Sequence, residues 1–529
     1  MAAQTRFSKI FSVSRQVMGL RVWRRALAAF SPDEPPERFP DTLERLVAQG
    51  LLPPYVPDLA RLEWTHHQVG EQDVPASPDE GPAILNQTLE LVPCRWHNLP
   101  QLLGHGSDAQ AAVTEGEELV AVWQDLHGQT HLETARPSDL AALKVVVGET
   151  TPQALAAQTG SPVGPLVAAL RQTAQRGLIL APPSRLHRTA RFAPGVEVAE
   201  QFHAARVFSL QWHLTQACDL HCRHCYDRTP RATPSLAEGL DILQQLQAFC
   251  QSRQVSGQVS FTGGNPFLYP HFFELYRAAA DLGFGCVILG NPVPEEKLEQ
   301  LLAIGPPLFY QVSLEGLQEH NDEIRGSGNF RRVLGFLEML RHFKIPSGVM
   351  LTLTRANLAQ VLPLAGALRH LADDFTFNRL ARFGEGARLE LPTPGDYRAF
   401  LAEYLEARPQ NPILGLKDSL FNILLEERGL VSFGGCTGFG CGAAFNFITL
   451  LSDGEVHACR KFPSLIGHLK TAGFEEIYES AAAARYRRGT TACAGCPLHA
   501  VCGGCLAVIA GLGGDPFSSA DPFCFRSRG

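Results

Sequence analysis

Residues 207–378 alternate between short runs of β-branched and aromatic side chains and longer stretches in which apolar residues recur at helical spacing. The short runs predict strands, and the longer stretches between them predict helices. Strands that are separated by helices pair in parallel through right-handed crossovers. We therefore predict an α/β fold, a parallel sheet or partial (β/α)6 barrel, with six strands at 207–214, 258–262, 286–289, 309–313, 349–353 and 375–378.

The region before residue 190 has a different pattern. An apolar run near 119–123, a turn at His127-Gly128 and a second run near 129–134 predict a hairpin. Helical stretches and a short strand follow, and this order predicts a winged-helix-like domain over residues 111–190. We place these elements at 138–147, from Thr151-Pro152 onwards, at 163–176 and at 178–180.

The two ends of the chain frame these regions. Residues 1–110 are predicted to be mostly helical, and the polar stretch after Pro182-Pro183 is predicted to be a linker. The barrel is placed at 205–430. The last segment, 431–529, is rich in Gly and Cys and shows little periodicity. We expect it to lack a conventional core and to depend on bound metal for its order.

The composition is that of a globular protein, with 529 residues, 45 % of them hydrophobic and 19 % charged. The formal charge of −7 gives no general attraction to nucleic acid or to anionic membranes. No apolar run reaches the roughly 18 residues of a spanning helix, so no membrane partner is expected. Residues 1–32 carry six basic residues and no acid, which fits either a transit peptide or a docked amphipathic helix. We favour the helix and expect a cytoplasmic protein.

The 14 cysteines are unevenly distributed, with one tight cluster near residue 220 and eight cysteines in the last hundred residues. Such clusters, in a chain without a secretory h-region, indicate metal ligands in a reducing compartment. Cys94, Cys250 and Cys286 lie outside these clusters in apolar or helical contexts. We interpret these three as buried structural thiols.

The first cysteine cluster directly follows the first predicted strand. Cys218, Cys222 and Cys225 are spaced C-x3-C-x2-C in a loop at the carboxyl end of that strand, where α/β barrels place their chemistry. Three thiolates are one fewer than the usual four of a cubane cluster, so one iron would stay open for a substrate or cofactor. A zinc site with His221 or His224 as its fourth ligand is the alternative at this point.

Two further elements follow later strands. The second strand ends in Thr-Gly-Gly-Asn-Pro at 262–266, and the fourth ends in Ser-Leu-Glu-Gly at 313–316, shortly before Arg325. Two adjacent glycines allow backbone carbonyls to approach a ligand closely. In this order, the cluster loop and the two elements resemble the radical S-adenosylmethionine (radical SAM) enzymes over about residues 205–385, which have GGEP-like and SLDG-like elements at these places.

The radical SAM resemblance implies a 4Fe–4S cluster on the three cysteines, with S-adenosylmethionine bound through its amino and carboxylate groups to the open iron. One electron from the cluster would cleave the cofactor, and the 5′-deoxyadenosyl radical would abstract hydrogen from an unreactive C–H bond. The electron donor would be an external protein of the flavodoxin or ferredoxin type.

The same resemblance implies a set of cofactor contacts. The carbonyls of Gly263 and Gly264 would accept from the amino group of S-adenosylmethionine. Ser313 would meet the ribose or carboxylate, and Arg325 would pair with the carboxylate. Asn265 stands where the family often has Glu, and its amide carbonyl would still offer an acceptor.

The C-terminal cysteines are spaced C-x12-G-x4-C, then C-x2-C-x5-C-x2-C, before a last cysteine. Eight thiolates would satisfy two zinc sites as well as two cubane clusters. Their order resembles the SPASM domain over about residues 436–524, with one residue fewer than the family has between Cys502 and Cys505. The resemblance implies two auxiliary 4Fe–4S clusters, one on Cys436, Cys441, Cys459 and Cys505 and the other on Cys493, Cys496, Cys502 and Cys524.

SPASM enzymes mostly modify peptides or proteins. Sulfatase maturases carry an Asp directly after the second SPASM cysteine, and this chain has Arg460 there, which counts against sulfatase maturation. Peptide maturases often hold the leader of a precursor on an edge strand and a helix of a winged-helix-like element, which residues 117–181 resemble. The implied function is modification of a ribosomally made precursor peptide by an oxidoreductase. Residues 485–508 additionally resemble the selenobiotic-family maturases.

Other functions remain open at this stage. The helix at 163–176 has only Arg171 and Arg176 as basic residues, which favours a peptide groove over DNA binding. The groove would be formed by its apolar face, made of Val163, Leu166, Val167 and Leu170. The alternatives are a sulfatase-maturase-like protein oxidase, a zinc-containing winged-helix DNA regulator and a purely structural packing role for the N-terminal element.

Overall fold

The computed structural model describes residues 7–31, 34–105, 113–148, 150–159, 163–188 and 199–526. The chain divides into two compact units, one made of residues 1–161 and 166–183 and the other of residues 162–165 and 184–529. Within the described ranges, no helix is both long and apolar enough to cross a membrane. Residues 1–6 of the predicted basic helix and residues 189–198 of the predicted linker lie outside the description.

The N-terminal unit begins with helices, as the sequence predicts. They are α1 (Ser12–Ala29), α2 (Phe39–Val47) and α3 (Val56–Gly70). Aromatic side chains hold them together, since Phe11, Trp23 and Phe39 are each at most 3 % exposed and belong to one hydrophobic cluster. The basic residues of α1 therefore lie on a helix whose apolar side is packed, which agrees with the docked amphipathic helix.

A three-stranded antiparallel sheet follows in the same unit. After a short strand β1 (Ile84–Leu85), the sheet consists of β2 (Glu90–His97), β3 (Thr114–Gln124) and β4 (Thr130–Thr134), in that order, with α4 (Leu99–His105) between β2 and β3. The predicted hairpin corresponds to β3 and β4. Strand β2 was not predicted, and it lies before residue 110, so the sheet crosses the boundary drawn between the helical region and the winged-helix-like domain.

The rest of the N-terminal unit has the predicted order. Helices α5 (Pro137–Val147), α6 (Pro152–Thr159) and α7 (Val163–Gln175) precede β5 (Ile179–Leu180), which pairs antiparallel with β1.

The prediction that the apolar face of α7 forms an open peptide groove is wrong for Leu166 and Leu170. Leu170 packs into a cluster around Trp123 in the interior of the unit, and Leu166 is only 9 % exposed. An amphipathic helix buries its apolar stripe against the core of its own domain where it can, and that is the arrangement here.

The second unit contains the predicted α/β fold. Six strands alternate with helices and pair in parallel, each strand lying beside the one that precedes it along the chain. All six predicted strands are confirmed to within a few residues at each end. The elements are β6 (Val207–Thr215), α8 (Leu236–Ser252), β7 (Ser256–Gly263), α9 (Phe272–Asp281), β8 (Gly285–Leu289), α10 (Glu295–Leu302), β9 (Phe309–Ser313), α11 (Gln318–Arg325), α12 (Asn329–His342), β10 (Ser347–Leu353), α13 (Val361–Leu368), β11 (Asp374–Arg379) and α14 (Pro394–Ala407).

The Cys-rich segment continues this sheet. Strand β12 (Phe447–Leu450) pairs in parallel with β6, and β13 (Glu455–His457) and β14 (Leu465–His468) add antiparallel strands beyond it. The helices of this segment are α15 (Phe421–Glu427), α16 (Phe474–Glu479), α17 (Ala481–Arg488) and α18 (Leu506–Gly511).

The expectation that the last hundred residues lack a core is wrong. Leu506, Val508 and Ile509 on α18 are at most 1 % exposed, and they belong to the same hydrophobic cluster as the barrel strands. The sequence pattern hides this core because the apolar residues come in short runs between glycines and cysteines, without a sustained period.

Candidate active site

The carboxyl ends of the parallel strands open into a cavity of about 500 Å³. Cys218, Cys222 and Cys225 all line it, so the three predicted cluster ligands face one common space. The other predicted contact residues that line this cavity are Gly263, Gly264, Ser313 and Arg325. Parallel strands end at the same edge of a sheet, which is why residues so far apart in sequence meet here.

Asp219 fixes the cluster loop to the neighbouring strand ends. Its carboxylate accepts hydrogen bonds from the amide of Asn265 at 3.0 Å, the amide of Asn291 at 2.6 Å and the guanidinium of Arg332 at 2.8 Å. These partners follow β7 and β8 and lie on α12. The loop that carries the three thiols is therefore tied to three separate elements.

Nitrogen donors approach two of the three thiols. The amide of Asn291 lies 3.5 Å from the Cys218 sulfur, and the guanidinium of Arg325 lies 3.7 Å from the Cys222 sulfur. Burial raises the pKa of the Cys222 thiol, and Arg325 acts in the opposite direction. Donors at the sulfurs stabilise thiolates and the negative charge of a metal–thiolate cluster. The donor set thus fits a 4Fe–4S cluster with three protein ligands.

The two glycines of the second element are required by the backbone of the cluster loop. A Cβ atom at Gly263 would lie 2.3 Å from the carbonyl oxygen of Thr215, and one at Gly264 would lie 2.1 Å from that of Ala217. Gly263 also has a φ of 128°, which favours glycine. Both positions line the cavity, so the predicted contacts to a cofactor amino group remain possible there.

Asn265 is not one of the residues that line the cavity, in contrast to the sequence prediction. Its amide oxygen accepts from the backbone N–H of Phe267 at 3.2 Å, and its amide nitrogen donates to Asp219. The side chain is 4 % exposed. The predicted contact between the Asn265 carbonyl and the cofactor is therefore corrected: this residue positions the cluster loop instead.

Glu315 organises the cavity wall next to Cys222. Its carboxylate accepts from Arg325 at 2.6 Å, lies 3.2 Å from His224 Nε2 and accepts from the backbone N–H of Thr352 at 2.8 Å. Burial by itself would raise the pKa of Glu315, but His224 and Arg325 outweigh it and lower the pKa to about 2. Nε2 of His224 faces Glu315, whereas its Nδ1 is buried and has no hydrogen-bond partner among the described residues. Arg325 still lines the cavity, and its predicted contact with the cofactor carboxylate would have to be shared with Glu315.

Replacing Glu315 with Gln should destabilise the second unit by about 3 kcal/mol, because a buried Arg325 would lose its counter-charge. Urea denaturation of the iron-free chain measures this free energy of unfolding. The matched control is Glu323→Gln, which removes the exposed ion pair between Glu323 and Arg223 and should cost about 0–1 kcal/mol. Equal effects of the two substitutions would contradict the assigned role of Glu315.

Four C-terminal thiols form one neighbourhood. Burial raises the pKa of Cys441 to about 12, with further increases from Cys505, Cys459 and Cys436. Burial likewise raises the pKa of Cys459 to about 11, and Cys505 and Cys436 act on it in the same direction. Bound iron would deprotonate such thiols outright. The four thiols are those predicted for one auxiliary cluster.

The remaining four thiols lie in a second neighbourhood. The charge of Cys493 raises the pKa of the buried Cys502 thiol, and the charges of Cys496 and Cys524 raise the pKa of Arg526. The backbone N–H of Cys496 donates to the carbonyl of Cys493 at 3.0 Å. These contacts agree with the second predicted ligand set, which stays a prediction.

A buried ion network joins the cavity to an auxiliary-cluster ligand. Arg379, at the end of β11, lines the cavity and donates to Asp521 through two bonds of 2.8 Å and to Asp418 at 2.7 Å. Asp521 in turn accepts from the backbone N–H of Cys505 at 2.9 Å. This chain of bonds fixes Cys505 relative to the barrel.

Several cavity residues were missed by the sequence analysis, among them Tyr226, Asn291, Arg379 and Lys461. Each is an isolated polar or aromatic residue outside a recognisable motif. Arg460 was singled out only as a departure from the sulfatase maturases and not as a cavity residue. Only their position, directly after a cysteine ligand or at the end of a predicted strand, was a signal that the sequence offered.

The site geometry defines an enzyme built around iron–sulfur chemistry at the carboxyl edge of a parallel sheet. Comparison with known families agrees: residues 212–365 match the radical SAM superfamily, and residues 441–505 match an iron–sulfur cluster-binding domain, SPASM. The chain thus combines a radical SAM domain with a SPASM domain. It is an oxidoreductase-type enzyme, and its cofactors are 4Fe–4S clusters and S-adenosylmethionine.

Characterised relatives match this chain over much of their own length. The AdoMet-dependent heme synthase of Methanosarcina barkeri is 28 % identical over 60 % of this chain and 97 % of that relative. The mycofactocin maturase MftC of Mycobacterium ulcerans is 29 % identical over 60 % of this chain and 88 % of that relative. The crystal structure of Streptococcus suis SuiB bound to its precursor peptide SuiA is 15 % identical, with a TM-score of 0.50, and covers 78 % of this chain and 97 % of SuiB.

Proposed function

We propose that this chain is a peptide maturase that modifies a ribosomally made precursor peptide bound through a leader. The observation that carries the proposal is strand β4, whose outer edge pairs with no other strand among the described residues and which belongs to an N-terminal unit distinct from the radical SAM and SPASM domains. Likeness to MftC supports it. The fold match to SuiB covers more of this chain than the second unit supplies, and this extension into the N-terminal unit supports it further.

The cofactors supply the chemistry, which is reductive cleavage of S-adenosylmethionine to a 5′-deoxyadenosyl radical that abstracts hydrogen from the substrate. The residues of this chain bind and enclose the reactants. The cavity contains cofactor-sized space next to the three thiols, and Glu315, Arg325 and Asp219 hold its walls in place. A rigid wall limits the access of water and of competing hydrogen donors.

Strand β4 offers backbone groups to an added strand. Two backbone hydrogen bonds show which residues of the hairpin bond to β3. They run from the N–H of Ala135 to the carbonyl of Leu119 at 2.8 Å and from the N–H of Asp125 to the carbonyl of Gln129 at 2.9 Å. Because bonded and non-bonded pairs alternate along antiparallel strands, the N–H and C=O groups of Thr130, Leu132 and Thr134 point away from β3. An extended peptide would pair with these groups.

The opposite edge of the sheet is blocked. By the same alternation, Leu91 and Pro93 of β2 are the residues that face outwards, and Pro93 has no N–H to donate. Just beyond them, the N–H of Arg95 donates to the carboxylate of Asp58 at 2.8 Å. Proteins protect free edges in this way. Strand β4 is therefore the edge that we assign to the leader.

Replacing Thr134 with Pro should weaken binding of the leader about tenfold, because the proline ring removes an outward N–H and obstructs the edge. The bonds between β4 and β3 do not use that N–H. Fluorescence anisotropy with a labelled leader, taken from a short precursor gene beside the gene of this chain, measures the affinity.

The matched control is Thr134→Ala, which keeps the backbone N–H and removes only the side-chain bond to Glu118. It should bind the leader like the unmodified chain. If Pro and Ala at this position have the same effect, the peptide does not pair with β4.

The DNA-binding alternative finds little support in the N-terminal unit. Arg176, which directly follows α7, pairs with Asp139 and with Glu133 and stacks on Trp123. A paired guanidinium is a poor phosphate contact. Duplex affinity that falls steeply with salt, in the absence of peptide binding, would favour the regulator instead.

The likeness to heme synthases makes modification of an iron porphyrin a second candidate function. The match to the heme synthase covers 60 % of this chain. Nothing in the name of that relative refers to a further unit with an unpaired sheet edge. Arg460 in place of the Asp of sulfatase maturases argues against protein oxidation of that type. We further propose a cytoplasmic location and an external flavodoxin- or ferredoxin-type electron donor.

A further inference from the structure

Five cationic side chains line the cavity, namely Arg228, Arg325, Arg379, Arg460 and Lys461, whereas Asp227 is the only lining carboxylate among the residues that the structure describes. This imbalance is large for a partly enclosed site, since an uncompensated charge that loses water is costly. It indicates that the cavity receives negative charge from a bound molecule.

Most of these cations already have partners. Arg325 pairs with Glu315, and Arg379 pairs with Asp418 and Asp521. Arg228 is exposed and donates to the carbonyl of Cys222 at 3.0 Å. Asp227, for its part, lies 3.5 Å from Arg231, outside the set of lining cations. Arg460 and Lys461 therefore account for the excess, because in the described part of the chain neither has a carboxylate within ion-pair distance.

Arg460 and Lys461 act on different surroundings. Lys461 lowers the pKa of Cys459 and Cys505, two thiols of one predicted auxiliary cluster, so its charge offsets that of the cluster. Among the charged groups around His213 and Tyr226, Arg460 lowers the pKa of each of these two residues most. Both lie beside the first cluster loop. Tyr226 follows Cys225 and lines the cavity. Arg460 thus faces the space in which the reaction occurs.

We propose that Arg460 binds a carboxylate of the peptide substrate and thereby selects substrates whose modified region carries a free acidic group. This proposal rests on the proposed function. A guanidinium in a half-buried site binds a carboxylate through two parallel charge-assisted hydrogen bonds, which would orient the neighbouring C–H bonds towards the cofactor. The carboxylate comes from a Glu or Asp side chain or from the C-terminus of the peptide.

The carboxylate of S-adenosylmethionine is the other source of the same chemistry. The test uses the full-length chain with reconstituted clusters, S-adenosylmethionine and pooled peptides, in each of which the leader of the neighbouring precursor precedes an octapeptide that is random among uncharged residues at all other positions. One pool has a central Glu and an amidated C-terminus, one has Gln in its place, and one has Gln with a free C-terminus. Peptides retained by the protein are separated by anaerobic gel filtration and counted by mass spectrometry.

The unmodified chain should retain at least one carboxylate pool about tenfold better than the neutral pool. Arg460→Gln should remove this preference, and Arg460→Lys should keep part of it. The control Arg355→Gln, which removes an exposed guanidinium paired with Glu390 outside the cavity lining, should keep all of it. Iron content and the affinity for S-adenosylmethionine, measured on each variant, should be the same in Arg460→Gln as in the unmodified chain.

Four results would overturn the proposal. A preference that survives Arg460→Gln would assign the carboxylate to another residue. A tenfold loss of S-adenosylmethionine affinity in Arg460→Gln, with the preference intact, would assign Arg460 to the cofactor. Retention of all three pools equally would refute carboxylate selection and leave the peptide maturase standing, whereas retention of none would refute both.

Discussion

Replacing Cys218, Cys222 and Cys225 together with Ala should remove about four iron atoms per chain and abolish cleavage of S-adenosylmethionine. All three thiols line one cavity, and Nε2 of His224, which lines it as well, faces Glu315. The eight C-terminal thiols are supplied by a different segment of the chain, so their iron should remain. Iron analysis and quantification of 5′-deoxyadenosine after anaerobic reduction measure the two effects.

The control for this experiment is Cys286→Ala, since Cys286 is a buried thiol of β8 outside the ligand sets. Its iron content and cofactor cleavage should match those of the unmodified chain. Formation of 5′-deoxyadenosine by the triple variant would show that the reactive cluster is bound elsewhere.

Anaerobic reconstitution of the unmodified chain should give about twelve iron and twelve sulfide per chain, as three four-iron clusters require. The prediction follows from the eleven thiols of the predicted ligand sets, one of three and two of four. Replacing Cys441 and Cys459 together with Ala should lower both contents by about four, because both belong to the same neighbourhood.

Replacing Cys441 and Cys502 should instead lower iron and sulfide by about eight, since these residues belong to different predicted clusters. Equal losses in the two double variants would contradict the partition of ligands. Stoichiometric zinc without acid-labile sulfide would contradict the clusters altogether.

The parts of the site that the sequence predicts are those with local signals. The cysteine spacing, the paired glycines and the strand ends are each signals that span only a few residues, and the strands themselves are marked by buried apolar runs. Gly263 and Gly264 are an example. Glycine is needed at both positions because the backbone of the neighbouring cluster loop lies too close for a Cβ atom.

The parts that were missed depend on contacts between distant segments. Strand β2 is interrupted by Pro93 and by charged residues, so its pattern does not read as a strand until β3 pairs with it. Asn265 occupies the place of a cofactor contact, but Asp219 orients its amide towards the cluster loop. The sequence predicts that the apolar face of α7 is open, whereas in the fold Leu170 of this face packs against the cluster around Trp123.

The charge of the cavity was equally invisible in the sequence. Arg379 and Arg460 are about eighty residues apart, and only the folded chain brings them to one lining. The structure then separates them by their partners, since Arg379 is neutralised by two carboxylates and Arg460 is not.

The central claim is that this chain directs radical chemistry at a peptide. The most direct measurement is anaerobic incubation of the reconstituted chain with S-adenosylmethionine, a reductant and the neighbouring precursor peptide, followed by mass spectrometry of the peptide and quantification of 5′-deoxyadenosine. We predict a mass change in the peptide that depends on cofactor cleavage and is lost when the leader is removed. Cofactor cleavage with an unchanged peptide, together with conversion of an iron porphyrin in its place, would contradict the account.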